Sequence, residues 1–197
     1  MQYFDTLPKI IKTDPNGNST LMVNLIARCS VIPDILKNPL VYYSYDVQEG
    51  DTPEIIAYKY YGDSYRYWIV LYVNQILDPQ WQWPMQSSVL ESYITDKYNF
   101  NAKATIHHYE KVITKFDSRT STTTIDKYII DQQAYNTLQT GVFERSMATG
   151  QFTITTSRRT VSYYEYETNL NESYRNIKLL NSIYVGELEK QFKKLMA

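Results

Sequence analysis

The fold is decided by residues 42–83, which read YYSYDVQEGDTPEIIAYKYYGDSYRYWIVLYVNQILDPQWQW. The side chains alternate at the start, where Tyr43, Tyr45 and Val47 point one way and their neighbours the other. This period of two predicts a half-buried strand. The sequence DTPE at residues 51–54 then predicts a helix start, because it supplies a capping side chain, a proline suited to the first turn and an acidic group near the positive helix end.

Two helices and a second strand are expected to complete this stretch. Gly62 predicts the end of the first helix, and Asp63 or Ser64 is expected to cap a second helix with an apolar face. We expect Asp78-Pro79 to return the chain to an extended run. The predicted order is therefore strand, helix, helix and strand.

This order of elements resembles the LysM module, a small β-α-α-β domain that binds glycans. The matching residues are Val47, Gly50, Asp51, Thr52, Ile56, Ala57, Tyr60, Tyr61, Gly62, Asp63, Trp68 and Asn74. The resemblance implies a LysM-like core that includes Tyr61, Gly62 and Trp68. It also implies that two loops hold a glycan or a partner protein, through the candidate residues Gly50, Asp51, Thr52, Asn74, Gln75 and Asp78.

The composition argues against several classes of protein. Lys and Arg together number 20 and Asp and Glu 21, so no global field attracts nucleic acid or an acidic membrane. The single cysteine, Cys29, cannot form an internal disulfide, and we expect it to be a small buried apolar residue. We identify no apolar run of membrane-spanning length and expect no export signal.

Tyrosine is unusually frequent, with 20 in the chain. The tyrosine ring is apolar and carries a polar tip, so it packs well, tolerates water and is enriched in protein–protein interfaces. Two interpretations stay open: most of these tyrosines pack one small domain, or many of them form surfaces that bind protein partners.

The patterns along the chain predict an α+β fold. We expect four segments: an N-terminal arm and helix at residues 1–40, a LysM-like domain at 41–86, a helix with a small antiparallel β region at 87–168, and a long C-terminal helix at 169–197. Residues 105–114 are predicted to form a strand pair or one long strand, and further strands are predicted at 122–130, 152–156 and 160–166, with a short helix at 131–138.

Both ends of the chain leave alternatives open. Residues 1–18 are expected to form an extended arm that becomes ordered on a partner, or a tail docked on the protein surface, followed by a helix from Ser19 to Lys37. The C-terminal helix either reaches a partner or folds back onto its own chain. We expect that deletion from Ile177 onward leaves the 42–83 unit folded.

The sequence contains few residue patterns that are typical of a catalytic site. His107 and His108 are adjacent on a predicted strand, so their imidazoles would share a metal only at a bend, and we expect a hydrogen-bonded structural pair. Glu165 and Glu167 are predicted on one strand face, whereas a two-carboxylate glycosidase needs acids on opposing elements. With 6 glycines and no phosphate loop or nucleophile elbow, the sequence predicts no enzyme, no metal site and no cofactor.

Three stretches carry a second resemblance. They are the LysM-like unit, the sequence His107, His108, Tyr109 and Glu110, and a segment that includes Asn171, Glu172 and Arg175. Together they resemble the baseplate wedge protein family of contractile-tailed bacteriophages. The resemblance implies a non-enzymatic structural subunit of the virion, assembled in host cytoplasm, that joins neighbouring wedge proteins in the tail baseplate. Its partners would be other wedge subunits, and neither nucleic acid nor a membrane.

The alternative is a LysM-type module that binds peptidoglycan or chitin in a wall-associated or tail lysin assembly. LysM modules usually end with a glycine and an aliphatic-Ile-Pro strand. This chain has Gln80-Trp81-Gln82-Trp83-Pro84 in that place. The replacement favours protein contact over glycan binding.

Overall fold

A computed structural model describes residues 3–27, 38–147 and 150–196. The described residues form eight strands, β1 (Lys9–Thr13), β2 (Ser19–Val23), β3 (Tyr42–Asp46), β4 (Ile106–Asp117), β5 (Thr122–Ile130), β6 (Gly141–Met147), β7 (Gly150–Ser162) and β8 (Asn176–Leu180). They also form seven α-helices, α1 (Pro53–Tyr61), α2 (Tyr67–Val73), α3 (Pro79–Gln82), α4 (Ser87–Tyr98), α5 (Gln132–Thr137), α6 (Tyr163–Ser173) and α7 (Ser182–Met196). The predicted mixture of helices and small antiparallel sheets is confirmed. The chain divides into a first unit, residues 1–86 with 171–197, and a second unit, residues 87–170.

The N-terminal region of the first unit contains a two-stranded antiparallel hairpin of β1 and β2. In its turn the Gly17 N–H donates to the Asp14 carbonyl oxygen (2.8 Å), and Gly17 has a φ of +81°, which glycine adopts without strain. The helix predicted from Ser19 to Lys37 is wrong over β2, because this turn allows cross-strand pairing to replace the local helical pattern. Residues 28–37 of that prediction lie outside the described residues.

Residues 3–7 precede the hairpin and pack on the first unit. Tyr3 begins a 3-10 turn, and its ring centroid lies 5.4 Å from that of Phe192. Leu7 is buried at 4% exposure. These residues therefore follow the docked-tail alternative and do not form a helical arm.

The strand and the two helices predicted at the start of the 42–83 stretch are confirmed as β3, α1 and α2. The Thr52 hydroxyl oxygen accepts a hydrogen bond from the Ile55 N–H at the start of α1. Gly62 ends α1 in the left-handed conformation, and Asp63 caps the 3-10 turn that leads into α2. Local capping signals thus placed both helices correctly.

The second strand predicted after Asp78-Pro79 is wrong. These residues begin the short helix α3, in which the Asp78 side chain accepts a bond from the Gln80 N–H. An acidic cap followed by proline is a helix-start signal, which explains the outcome. The partner of β3 is instead β8, which pairs antiparallel to it with Tyr42 opposite Leu180 and Asp46 opposite Asn176.

The single long helix predicted at residues 169–197 is also wrong. The chain forms the end of α6, then β8, then α7. Ile177 and Leu180 fit a helical spacing, but Ile177 and Leu179 also alternate with the exposed Lys178. Pairing with β3 decides between the two patterns, because it buries Ile177 and Leu179 in the core.

The core of the first unit gathers residues from distant parts of the sequence. Trp68 and Phe192 lie at its centre, with ring centroids 4.8 Å apart. The other buried apolar residues of this core include Val41, Val47, Ile56, Ala57, Ile69, Val70, Val73, Ile177, Leu179, Leu180, Val185 and Met196. Helix α7 therefore folds back onto its own chain.

The second unit contains a four-stranded antiparallel sheet in the order β5-β4-β7-β6. The predicted strand at 122–130 and the short helix near 132–137 are confirmed. The single strand β7 covers the strand predicted at 152–156 and the start of the one predicted at 160–166. The second of these predictions is wrong beyond Ser162, because helix α6 begins there. The Ser162 hydroxyl oxygen accepts a hydrogen bond from the Glu165 N–H at the start of this helix. Strand β6 was not predicted.

Among the described helices, none combines the length and the apolar character needed to cross a membrane.

Candidate protein-contact site

The loop between β3 and α1 is organised by Asp51, which is buried at 8% exposure. Its carboxylate accepts hydrogen bonds from the Tyr45 hydroxyl (2.7 Å), the Gln48 N–H (3.2 Å) and the Lys59 ammonium (2.7 Å). Its main-chain oxygen accepts another from the Trp83 indole N–H (2.9 Å). Asp51 therefore links the strand, the first helix and the segment after α3.

The electrostatics of this cluster favour the ionised carboxylate. Burial opposes ionisation of Asp51, but the hydrogen bonds from Lys59, Tyr45 and the Gln48 N–H outweigh it and hold the pKa of Asp51 below its usual range. The hydrogen bond to Asp51, together with burial, raises the pKa of Tyr45 to about 12. The cluster is a structural ion pair and not an acid poised to donate a proton.

The neighbouring residues Gly50 and Thr52 also shape the loop. Gly50 has a φ of +85°, and a Cβ built there would lie 3.8 Å from the Gln86 side-chain nitrogen. The Thr52 hydroxyl oxygen accepts a hydrogen bond from the Ile55 N–H (3.3 Å). Both residues are exposed, so the outer surface of this loop remains available to a partner.

The second predicted loop begins at Asn74, which fastens α2 to β8. Its side-chain amide donates to the carbonyl oxygens of Val70 and Lys178, both at 2.8 Å, and its amide oxygen accepts from the Lys178 N–H (2.8 Å). Gln75 follows with a φ of +57°, and Asp78 caps α3. The predicted loop residues thus serve first to turn the chain and hold β8.

The three residues predicted for a LysM-like core, Tyr61, Gly62 and Trp68, lie in or at the end of helices α1 and α2. Trp68 is exposed by 3% and Tyr61 by 8%. Gly62 has a φ of +71°, and its N–H donates to the Tyr58 carbonyl oxygen (3.0 Å). These residues position the two helices.

An apolar groove of about 390 Å³ lies beside α2. Its lining is formed by Tyr3, Phe4, Leu25, Ala27, Tyr67, Trp68, Leu71, Tyr72, Ile76, Leu77 and Pro79. Three of these side chains are strongly exposed, Phe4 at 55%, Leu25 at 68% and Leu77 at 74%. The sequence did not predict this groove, because residues 3–27 reach it only through tertiary packing. Within the sequence, the apolar Ile76-Leu77 pair after α2 was the one local indication of an apolar surface here.

The predicted histidine pair lies in the second unit at a β-bulge, where the register of β4 and β7 shifts between Ile106 and His108. The bulge brings the Nδ1 atoms of His107 and His108 to 2.7 Å. His107 also stacks on Tyr166, with ring centroids 3.9 Å apart. The bend that two imidazoles would need to share a metal ion is therefore present. The two rings instead hydrogen-bond to each other, and His107 stacks on Tyr166.

The next residues of the motif continue this network. Glu110 is buried at 8% exposure and accepts hydrogen bonds from Arg159 Nε (2.7 Å) and pairs with His108 Nε2 (3.2 Å). Burial opposes its ionisation, but these two partners outweigh it and lower the pKa of Glu110. Tyr109 packs on Tyr135 at 4.8 Å. Within residues 3–27, 38–147 and 150–196, no group of three or more His, Cys, Asp or Glu side chains is arranged to hold a metal ion.

The third predicted motif anchors the returning chain of the first unit. The buried Asn171 side chain accepts from the Met85 N–H (2.6 Å) and donates to the Met85 carbonyl oxygen (3.1 Å). Arg175 donates to the Glu172 carboxylate (2.9 Å) and to the Val47 carbonyl oxygen (3.1 Å). These residues bring β8 into register with β3.

The sequence did not indicate the partners of one buried acid in the second unit, Glu167. Glu167 is exposed by 5% and accepts hydrogen bonds from Lys97 (2.8 Å) and the Tyr98 hydroxyl (2.6 Å). It was predicted to share a strand face with Glu165, but both lie on helix α6, where residues two apart do not face each other. Lys97 and Tyr98 of α4 gave no local sign of this pairing.

Polar clusters serve as internal links in both units. The phage family described as base plate wedge protein 53 matches residues 34–195. The chain belongs to this family, and it is a structural protein of the phage tail baseplate and thus of the virion. No curated protein in the comparison matches the chain.

Proposed function

We propose that the chain is a non-enzymatic wedge subunit that joins neighbouring wedge proteins during tail assembly, using the groove beside α2 as a contact surface. The single observation that carries this proposal is the groove itself, whose aromatic floor is bordered by the exposed Phe4, Leu25 and Leu77. Clustered exposed apolar side chains mark binding surfaces more often than scattered ones do. A wedge protein that inserts an apolar side chain would remove this surface from water.

In this proposal the LysM-like unit is discontinuous. Strand β3 and helices α1 and α2 come from residues 42–73, and β8 supplies the second strand from the other end of the chain. The exposed positions Gly50, Thr52, Gln75 and Asp78 then face protein partners of a contractile tail assembled in host cytoplasm.

Glycan binding by the same loops has less support. A sugar site needs polar side chains that are free to bond hydroxyl and acetamido groups. Internal hydrogen bonds engage the side chains of three polar candidates, Asp51, Asn74 and Asp78. The proposal therefore assigns these loops to protein contact.

The groove is tested with Leu77→Asp in the full-length chain, co-expressed with the other wedge proteins of the same phage. Leu77 is 74% exposed, so the substitution is compatible with folding. Loss of one buried leucine side chain costs an interface about 1.5–3 kcal/mol, which weakens association by about tenfold or more. We expect the variant to be lost from the purified wedge complex.

The matched control is Ile183→Asp, which places the same charge at an 80% exposed aliphatic position on α7, outside the groove. Both variants should keep the circular dichroism spectrum and Tm of the unsubstituted chain. Wild-type incorporation of Leu77→Asp into wedges would show that the groove is not a contact surface.

A further inference from the structure

Among the described strands, the sheet of the second unit has two unpaired edges. Strand order places β5 at one edge, with nine residues, and β6 at the other, with seven. Neither strand contains a proline, and both expose large apolar side chains, among them Tyr128 (51%), Ile129 (76%), Val142 (61%) and Phe143 (61%). Natural proteins usually protect long apolar edges, so these two invite pairing with another strand.

The hydrogen bonds beside the sheet show which edge residues have free backbone groups. The Ser118 N–H donates to the Gln151 carbonyl oxygen (3.0 Å), which extends the β4–β7 ladder by one pair. Hydrogen-bonded and non-hydrogen-bonded residue pairs alternate along antiparallel strands. The observed registers therefore fix, for each residue of the four strands, to which side its backbone N–H and C=O groups point. They direct the backbone N–H and C=O groups of Lys127, Ile129, Val142 and Glu144 outward.

We propose that β6 of one molecule pairs antiparallel with β5 of a second copy of this chain, with Lys127 opposite Glu144. In this register Ile129 lies opposite Val142, and all four of these residues present outward backbone groups to each other. The pairing therefore forms main-chain hydrogen bonds along the edge and matches charge with charge and aliphatic with aliphatic side chains.

The other face of the same register is complementary as well. Tyr128 lies opposite Phe143, which places two exposed aromatic rings on adjacent strands. Asp126 lies opposite Arg145, so a second pair of opposite charges forms. Asp126 already pairs with Lys115 within its own sheet (2.7 Å), and its carboxylate has room for a second donor.

The geometry of the sheet favours head-to-tail addition. Strands β5 and β6 run in opposite directions in the sheet, so a second copy in the same orientation brings its β5 antiparallel to β6 of the first. Opposite residues then lie on corresponding faces of the two sheets. Such a heterologous contact links several copies in a ring or a row.

Symmetric pairing of identical edges is less favourable. Two β6 strands that overlap fully are centred on Glu144, and two β5 strands on Asp126. Either arrangement places two carboxylates directly opposite each other, which destabilises the pair. Charge therefore selects β5 with β6. This inference concerns contact between copies of the chain and does not depend on which other wedge proteins it binds.

Disulfide trapping of the full-length chain tests the register. Tyr128→Cys and Phe143→Cys are made separately, each with Cys29→Ser, and are mixed under mild oxidation. Both positions belong to a non-hydrogen-bonded pair, in which Cα atoms approach to about 4.5 Å and a disulfide fits. We expect a covalent dimer in the mixture, and almost none with either variant alone.

The control mixture pairs Tyr128→Cys with Glu144→Cys, which lies one position out of register on the opposite sheet face. Equal yields in the test and control mixtures would overturn the proposed register. A chain that stays monomeric in sedimentation velocity at all concentrations, with no trapped dimer, would overturn the proposal itself, whatever the result of the Leu77→Asp experiment.

A charge reversal supplies an independent measurement. Lys127 and Glu144 are both exposed, so their substitution should leave the fold intact, as judged by circular dichroism. We expect Lys127→Glu to weaken self-association by about tenfold, because it replaces an attractive cross-strand pair with a repulsive one. Adding Glu144→Lys should restore the original Kd, and failure of this rescue would contradict the Lys127–Glu144 pairing.

Discussion

At the scale of single residues, two kinds of position matter for stability: a backbone conformation that favours glycine, and a buried charge. Gly62 is an example of the first and Asp51 of the second. Gly62 supplies a backbone conformation with a φ of +71°, and Asp51 supplies a buried charge with three hydrogen-bond donors. The effect of substituting either residue can therefore be stated in advance.

We predict that Gly62→Ala lowers the free energy of unfolding by about 1 kcal/mol, because a side chain in the left-handed region clashes with its own backbone. Gly186 is the matched control. It lies inside α7, where a built Cβ would meet no atom within 4 Å other than those of its chain neighbours and the helix backbone, so Gly186→Ala should raise stability by about 0.5–1 kcal/mol. Urea denaturation measures both, and equal effects would contradict the prediction.

The pH dependence of stability follows from Asp51. Its pKa is lower in the folded state than in the unfolded chain, so its contribution is present above the ordinary aspartate pKa of about 3.9 and is lost as pH falls through the folded value. We expect Asp51→Asn to cost about 1–2 kcal/mol at neutral pH and to flatten the loss of stability in acid. Denaturation between neutral pH and pH 2 measures this. Asp46→Asn, at an exposed site on β3 outside the Asp51 hydrogen-bond cluster, is the control variant.

At the scale of elements, β8 has the largest consequence. It supplies the only described partner of β3, and Asn74 holds it to α2 through three hydrogen bonds. Helix α7 follows it and places Phe192 against Trp68. The strand and the helix are therefore integral to the first unit, although they lie far from the 42–83 stretch in sequence.

This placement reverses the result that the sequence led us to expect from a C-terminal truncation. We now predict that removal of residues 174–197 unfolds the first unit, because it exposes the faces of β3 and α2 that Leu179 and Phe192 cover. Tryptophan fluorescence and thermal unfolding monitored by circular dichroism measure the result. A cooperative transition with buried-tryptophan emission in the truncated chain would disprove it.

At the scale of the whole molecule, the two units offer different means of assembly. The first unit presents an apolar groove, which suits a side chain or helix of another wedge protein. The second unit presents two complementary sheet edges, which suit a further copy of the same chain. Contacts of both kinds would let one subunit link its neighbours and its own copies in a baseplate.

The sequence by itself determined the features that depend on neighbouring residues. Caps, glycine and proline placed α1 and α2, and alternation placed β3, since these signals act within one or two turns of the chain. The conjunction of short motifs also identified the family correctly. Most of the predicted site residues make hydrogen bonds that hold neighbouring segments of the chain together. The sequence located these residues but did not distinguish them from residues that contact a partner.

Only the tertiary structure decided the rest, because the deciding contacts join distant residues. Asn176–Leu180 fits both a helix and a strand until β3 pairs with it, and Ser19–Val23 changes in the same way when β1 lies beside it. The bulge that brings His107 and His108 together depends on the register of β7, more than forty residues further along the chain. Long-range pairing thus overrides local periodicity wherever it buries apolar side chains or satisfies backbone hydrogen bonds.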